Sequence, residues 1–308
     1  MIPISVRILL GAATLASAAV AQPKGKQPPP GPPPDAIVHR DLRYVENGHE
    51  RQALDLYLPK TAPRPLPVIV WVHGGGWQNG SKANALPVRH GLLAKGYAVA
   101  SLGYRLTDAA AFPAQIQDVK AGIRWLRAHA SEYGLDPNRL VAWGSSAGGH
   151  LVAMLGTAGD VASFDVGPHP GVSSRVQGVI DFFGPSDLAR FVRTPGYESH
   201  GRPGSPEAKL IGGTVAEKSA EAAAASPVTY VTRDDAPFLI LHGSADPTVP
   251  VNQSEVLHAA LVKVGVPSEL HVLPGAKHGG PEFSSPEAVG WVEQFLQKIA
   301  KGGNPPSR

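Results

Sequence analysis

Gly144-Ser145-Ser146-Ala147-Gly148-Gly149 follows directly on the apolar run Leu140-Val141-Ala142-Trp143. The hexapeptide contains G-x-S-x-G, and its setting reads as a strand, a sharp turn and then a helix-compatible segment from about Gly148. A serine held on such a strained turn projects its Oγ above the edge of a sheet. Glycine two residues to either side leaves the backbone room to bend tightly. Only Ser146 has glycine at both positions, because Ser145 has Trp143 behind it. Ser146 is therefore the candidate nucleophile, and the motif gains its meaning from the elements around it.

Those elements alternate. Arg51 to Leu58 reads as an early strand, and Pro67 to His73 is a nearly continuous apolar strand, as a sheet buried on both faces requires. Residues 87–95 suit a helix and Tyr97 to Leu102 a strand. Ile116, Val119, Ile123 and Leu126 recur at helical spacing within Ala114 to Glu132. Behind the elbow, 147–157 reads as a helix. Val176 to Phe183, Phe238 to Leu241 and Glu269 to Val272 supply later strands, with helices over 252–264 and 286–300. Alternation of this kind predicts an α/β fold with a mostly parallel, doubly wound sheet flanked by helices. Ligands in such sheets bind at the carboxyl ends of the strands, where Ser146 sits. Residues 184–235 are less regular, mixing glycine and proline with an alanine-rich helix candidate near 216–225. They read as an insertion, either a lid or substrate loop or simply a long connection.

Length and composition set the outer bounds. The 308 residues suit one large domain or two small ones, and 43% apolar with 17% charged residues is the composition of a globular chain with a sizeable core. A formal charge of +3, with lysine and arginine scattered, gives no reason to expect a nucleic-acid partner. Arg7, the apolar stretch Ile8 to Ala18 and the A-x-A of Ala19-Val20-Ala21 together read as an export signal over residues 1–21. The expected destination is the periplasm or the medium, with no integral membrane segment after cleavage. Residues 22–36 read as a proline-rich tether, 37–301 as the folded domain and 302–308 as a disordered tail. The absence of cysteine excludes disulfides, thiolate metal sites and a cysteine nucleophile. No H-E-x-x-H or phosphate-loop spacing occurs, so no cofactor or metal is expected.

Acyl transfer needs a base, a group to orient it, donors for the oxyanion and a binding cleft besides the nucleophile. His73-Gly74-Gly75-Gly76-Trp77 follows the strand PVIVWV, and consecutive glycines there let backbone N–H groups converge. The N–H of Ala147, next to the nucleophile, would join them. Asp246 follows the strand FLILHG and is the leading acid, with Asp181 and Asp187 as rivals. Asp187 would equally cap a short helix. His278, in LPGAKHGG after the strand ELHVL, is the candidate base. The chain order Ser146, Asp246, His278 is that of the nucleophile-elbow hydrolases. His242 reads as hydrogen-bonded structure, His150 lies on the post-elbow helix, and His73 reads as a residue that shapes its own loop.

HGGGW, SLGYRL, the run from FPAQIQDVK to GSSAGGHLVAML, and HGSADPTVP with its histidine loop resemble the esterase/lipase branch of the α/β-hydrolases. Within that branch the chain looks most like bacterial feruloyl and acetyl-xylan esterases and hormone-sensitive-lipase-like carboxylesterases, over roughly residues 37–300. The resemblance implies a triad of Ser146, Asp246 and His278. It also implies oxyanion donors at Gly75, Gly76 and Ala147, with Trp77 near the acyl pocket. No substantial helical segment precedes HGGGW, which departs from hormone-sensitive-lipase types and implies a small or absent cap. The expected activity is a secreted serine carboxylesterase acting on short-chain or polysaccharide-linked acetyl or feruloyl esters. An amide-cleaving relative (arylformamidase or peptidase) and a non-catalytic binding protein on the same fold are the alternatives.

Overall fold

The computed structural model describes residues 33–301. The expected leader, most of the proline-rich tether and the carboxyl-terminal tail lie outside that range. Eight strands form one sheet: β1 (Ala36–Arg43), β2 (Ala53–Pro59), β3 (Leu66–Val72), β4 (Ala98–Leu102), β5 (Leu135–Ser145), β6 (Gly178–Phe182), β7 (Phe238–Gly243) and β8 (Ser268–Leu273). Their spatial order is β1-β2-β4-β3-β5-β6-β7-β8. β2 runs antiparallel to both neighbours, and every other pairing is parallel. This is the mostly parallel, doubly wound sheet that the alternation of elements predicts.

The apolar runs are continuous because both faces are covered. Along β3, Val68, Val70 and Val72 join the core on one face, and Ile69 and Trp71 join the core on the other. The first face is closed by helices Ala114–Ala128, Ala147–Thr157 and Asn252–Val264, and the second by helix Pro286–Lys301 through Val292, Phe295 and Leu296. β2 shows the same logic at a polar position. Asp55 is buried there, and it is offset by Lys82 and by Arg40 at 3.1 Å.

Several boundaries depart from the sequence reading. β1 was not foreseen as a strand; it is a half-exposed edge whose register breaks between His39 and Leu42, and it begins one residue before the expected domain start. The helix expected over 87–95 is helical only at Leu86–Arg89. Gly91 and Gly96 adopt φ of 72° and 85°, so the chain turns there while Leu92 and Leu93 still reach the core. The expected 114–132 helix stops at Ala128, with a separate turn at Ala130–Tyr133. Residues 184–235 fold into short helices rather than one long element, with Leu188–Phe191, Pro206–Ile211 and Ser219–Ala224 among them.

Because β3, β5, β6, β7 and β8 are neighbours running in one direction, the loops after them emerge at one edge. Among the described residues no helix precedes β3, and none is long and apolar enough to cross a membrane.

Candidate active site

Ser146 stands at the junction of β5 and helix Ala147–Thr157 with φ 56° and ψ −123°, a conformation that costs energy for a residue with a Cβ. The turn is held by its surroundings. Ser146 N–H donates to Phe182 O at 2.8 Å, and Ser146 O accepts from His150 N–H at 2.9 Å. The flanking glycines serve close approach rather than an unusual φ. A Cβ on Gly144 would lie 2.2 Å from Gly148 O, and one on Gly148 would lie 2.1 Å from Val72 O. The strained angle thus belongs to the serine itself, and the glycines let the helix start against the sheet.

His278 Nε2 lies 2.8 Å from Ser146 Oγ, and its Nδ1 lies 2.7 Å from Asp246 Oδ2. A carboxylate only accepts, so Nδ1 carries the proton and Nε2 presents a lone pair to the serine hydroxyl. Asp246 is buried. Burial alone would raise its pKa, yet hydrogen bonds from His242 and His278, the His278 charge and the Val249 N–H outweigh it and hold the carboxyl well below its usual range. Its Oδ1 accepts from Thr248 N–H at 2.7 Å and Val249 N–H at 2.9 Å. The His242 contribution is secondary in geometry, since Nε2 is 2.9 Å from Val249 O and 3.4 Å from Asp246 Oδ2. With Ser254 Oγ 2.6 Å from its Nδ1, His242 is the structural histidine that the sequence reading expected.

The rival acids are elsewhere. Asp187 caps helix Leu188–Phe191, accepting from Arg190 N–H at 2.9 Å. Asp181 is fully buried beneath the elbow, where Oδ1 accepts from Gly184 N–H at 2.9 Å and Oδ2 has no partner among the described residues. Burial pushes it up to about 7, against the opposing effects of the Gly184 N–H and His242. Neither approaches His278 within hydrogen-bond distance.

The loop His73–Trp77 crosses the mouth of the elbow. A Cβ on Gly74 would meet Ser145 O at 2.6 Å, which shows how closely this backbone passes the serine. Among the described residues the N–H groups of Gly75, Gly76 and Ala147 have no hydrogen-bond acceptor, and all three residues line the same cleft as Ser146 and His278. Ala147 also opens an eleven-residue helix, whose partial positive end favours developing negative charge. His73 keeps the loop in shape. Its Nδ1 donates to Gly74 O at 2.8 Å, its ring stacks on Tyr104 at 4.4 Å, and burial lowers its pKa to about 4. Trp77 lines the cleft but is almost wholly buried, and its Nε1 donates to His150 Nδ1 at 3.1 Å. His150 passes the tie on to the insertion through Nε2 and Ala225 O at 2.7 Å.

The cleft has a volume of about 530 Å³. Part of its wall went unrecognised in the sequence. Phe183, with φ 46°, packs edge-on against His278 at 4.7 Å between ring centres. Trp71 lines the floor from β3. His200, Pro206 and Glu207 come from the insertion, and Tyr197 O–H from the same segment donates to Asp246 O. The only sequence sign of Phe183 is its place at the end of an apolar strand, just before Gly184-Pro185. Among the described residues no cluster of three or more His, Asp or Glu side chains is arranged to hold a metal ion.

Comparison with known proteins places this arrangement. The BD-FAE family model matches residues 54–261. Esterase LipC of Mycobacterium tuberculosis is 32% identical over 79% of this chain and 60% of its own length. Among solved structures, a truncated carbohydrate esterase from gut microbiota is 31% identical with a TM-score of 0.80, covering 88% of this chain and 99% of that one. The propionate-bound esterase Est2 of Thermogutta terrifontis is 29% identical with a TM-score of 0.69, covering 89% and 97%. The chain spans about three fifths of the length of the curated relatives it matches first. With the eight-stranded sheet and the elbow in place, these matches make the chain a member of the BD-FAE family of α/β-hydrolases.

Proposed function

We propose that the chain is a serine carboxylesterase that hydrolyses short-chain esters, including acetyl or feruloyl groups carried on plant polysaccharide, through an acyl-enzyme on Ser146. The observation that carries this reading is the unbroken hydrogen-bond path from Ser146 Oγ through His278 to Asp246, at 2.8 and 2.7 Å. His278 Nε2 takes the hydroxyl proton as Oγ attacks the ester carbonyl. The N–H groups of Gly75, Gly76 and Ala147 receive the oxyanion, and Asp246 steadies the imidazolium. Nε2 then returns the proton to the departing alcohol. Water, deprotonated by the same imidazole, releases the acid from Ser146. The names of the carbohydrate esterase and the propionate-bound esterase support the substrate class. Hydrolysis of nitrophenyl acetate by the wild type, abolished in Ser146→Ala, is the expected result; equal rates in both proteins contradict the mechanism.

Export belongs to the same proposal, on the strength of Arg7, the apolar stretch Ile8 to Ala18 and the Ala19-Val20-Ala21 site. The domain over 37–301 would then hang from the proline-rich tether over 22–36. Mass spectrometry of protein recovered from outside the cytoplasm should find Gln22 at the amino terminus, whereas an uncleaved chain confined to the cytoplasm speaks against it.

A further inference from the structure

A second histidine–carboxylate pair faces the cleft, and the mechanism above makes no use of it. His200 and Glu207 both line the cleft that holds Ser146 and His278. His200 Nδ1 lies 3.0 Å from each carboxylate oxygen of Glu207, whose side chain is only 3% exposed. The partner fixes the tautomer. Nδ1 carries the proton toward the carboxylate, so Nε2 is left as an acceptor with no hydrogen-bond partner among the described residues.

Glu207 stands in the first turn of helix Pro206–Ile211, and the surrounding structure fixes the pair firmly. The His200 ring lies 4.6 Å from that of Phe191, and its carbonyl accepts from Ser205 Oγ at 2.7 Å. Ser205 in turn caps helix Pro206–Ile211, which carries Glu207. A Cβ on Gly76 would meet Pro206 at 3.4 Å, so this helix begins against the glycine turn. Tyr197, three residues before His200, is tied to the Asp246 carbonyl. The pair is therefore anchored both to the proposed oxyanion loop and to the acid loop. A buried carboxylate that orients an imidazole, with the other ring nitrogen left open to a cleft, is a rigid acceptor for a ligand O–H or N–H.

We propose that His200 Nε2, oriented by Glu207, accepts a hydrogen bond from a free hydroxyl on the alcohol part of the substrate, and so selects esters of sugars or other polyols. This rests on the esterase reading above. The alcohol is placed on this side because its oxygen receives the proton from His278. The segment carrying His200 is joined to the loop that orients His278. A hydroxyl beside the acylated position satisfies Nε2, whereas an alkyl or deoxy alcohol leaves a desolvated acceptor unpaired. Sites built around such a bond reject analogues that lack it.

The test compares two substrates in one preparation: a monoacetylated methyl xyloside, and its analogue with hydrogen in place of the hydroxyl beside the ester. The ratio of kcat/KM values is independent of how much protein is folded. Wild type should favour the hydroxylated ester on the order of tenfold, the effect of one net hydrogen bond. His200→Phe, which keeps an aromatic ring against Phe191, should bring the ratio near one. The double variant His200→Phe/Glu207→Gln should do the same without stranding a buried charge. A wild-type ratio near one, or a preference that survives in both variants, overturns the inference. If wild type hydrolyses nitrophenyl acetate yet shows no preference, only this inference falls. If it hydrolyses none of the three esters, the esterase reading falls with it.

Discussion

The two walls of the cleft are built by different means. One consists of the residues at the carboxyl ends of β3, β5, β6 and β7 and the loop after β8, which bring His73–Trp77, Ser146, Phe183, Asp246 and His278 to one edge. All but His278 stand directly behind buried parallel strands, which do not slide once both faces are packed. His278 instead follows the partly exposed edge strand β8 and is held by its bond to Asp246. The opposite wall is drawn from residues 184–235, a series of short helices that contributes His200, Pro206 and Glu207. These residues are held by caps and side-chain ties rather than by the sheet. The contrast teaches a division of labour. Groups that move a proton by fractions of an ångström sit on the rigid frame. Groups that read the rest of the substrate sit on the insertion, which can vary without disturbing the sheet.

That division predicts a ranking of effects. Asp246→Asn should lower kcat on the order of 10⁴-fold, because an amide in place of the acceptor favours the wrong tautomer of His278. Steady-state hydrolysis of nitrophenyl acetate measures it, and a loss below about tenfold would break the account of the strand-end wall. Tyr197→Phe probes the junction of the walls, since it removes only the bond to the Asp246 carbonyl. Its cost should stay near the tenfold scale of a single hydrogen bond. A loss as large as that of Asp246→Asn would show that the insertion takes part in positioning the acid, and the partition would fail.

The smallest expected effect falls on stability. Burial raises Asp181 from 3.8 to about 7, so the folded state keeps a proton that the unfolded chain releases. Stability contributed by this protonation is fully present below about pH 4 and is given up as pH rises toward about 7. Asp181→Asn has no such titration. Urea midpoints measured across this window should therefore fall less steeply with pH in the variant than in wild type, and parallel slopes would refute the assignment.

Much of the strand-end wall is legible in the sequence, for a physical reason. Strands buried on both faces are unbroken apolar runs, and the polar residues just past Val72, Ser145 and Gly243 stand out against them, while His278 is marked by the glycine-flanked loop after the edge strand β8. Ser146, Asp246 and His278 could be picked out in this way, and the structure brings those three within hydrogen-bond distance. The reason for the flanking glycines was less legible, because it lies in how closely Val72 O and Gly148 approach in space. The insertion wall was nearly invisible. Its short helices depend on contacts such as Tyr197 with Asp246 and His150 with Ala225, far apart in sequence, and no periodicity announces them. The turn at Gly91 and Gly96 is hidden in the sequence for a similar reason, since buried Leu92 and Leu93 imitate a helical face.

In the proposed mechanism Ser146 carries the acyl group. Treatment with a fluorophosphonate, followed by mass spectrometry of the proteolytic peptides, tests it directly, because fragmentation distinguishes Ser145 from Ser146. One adduct per chain is expected, on Ser146, with activity lost in proportion and no labelling of His278→Ala beyond a slow background. An adduct on Ser145, or full inactivation with Ser146 unmodified, would contradict it.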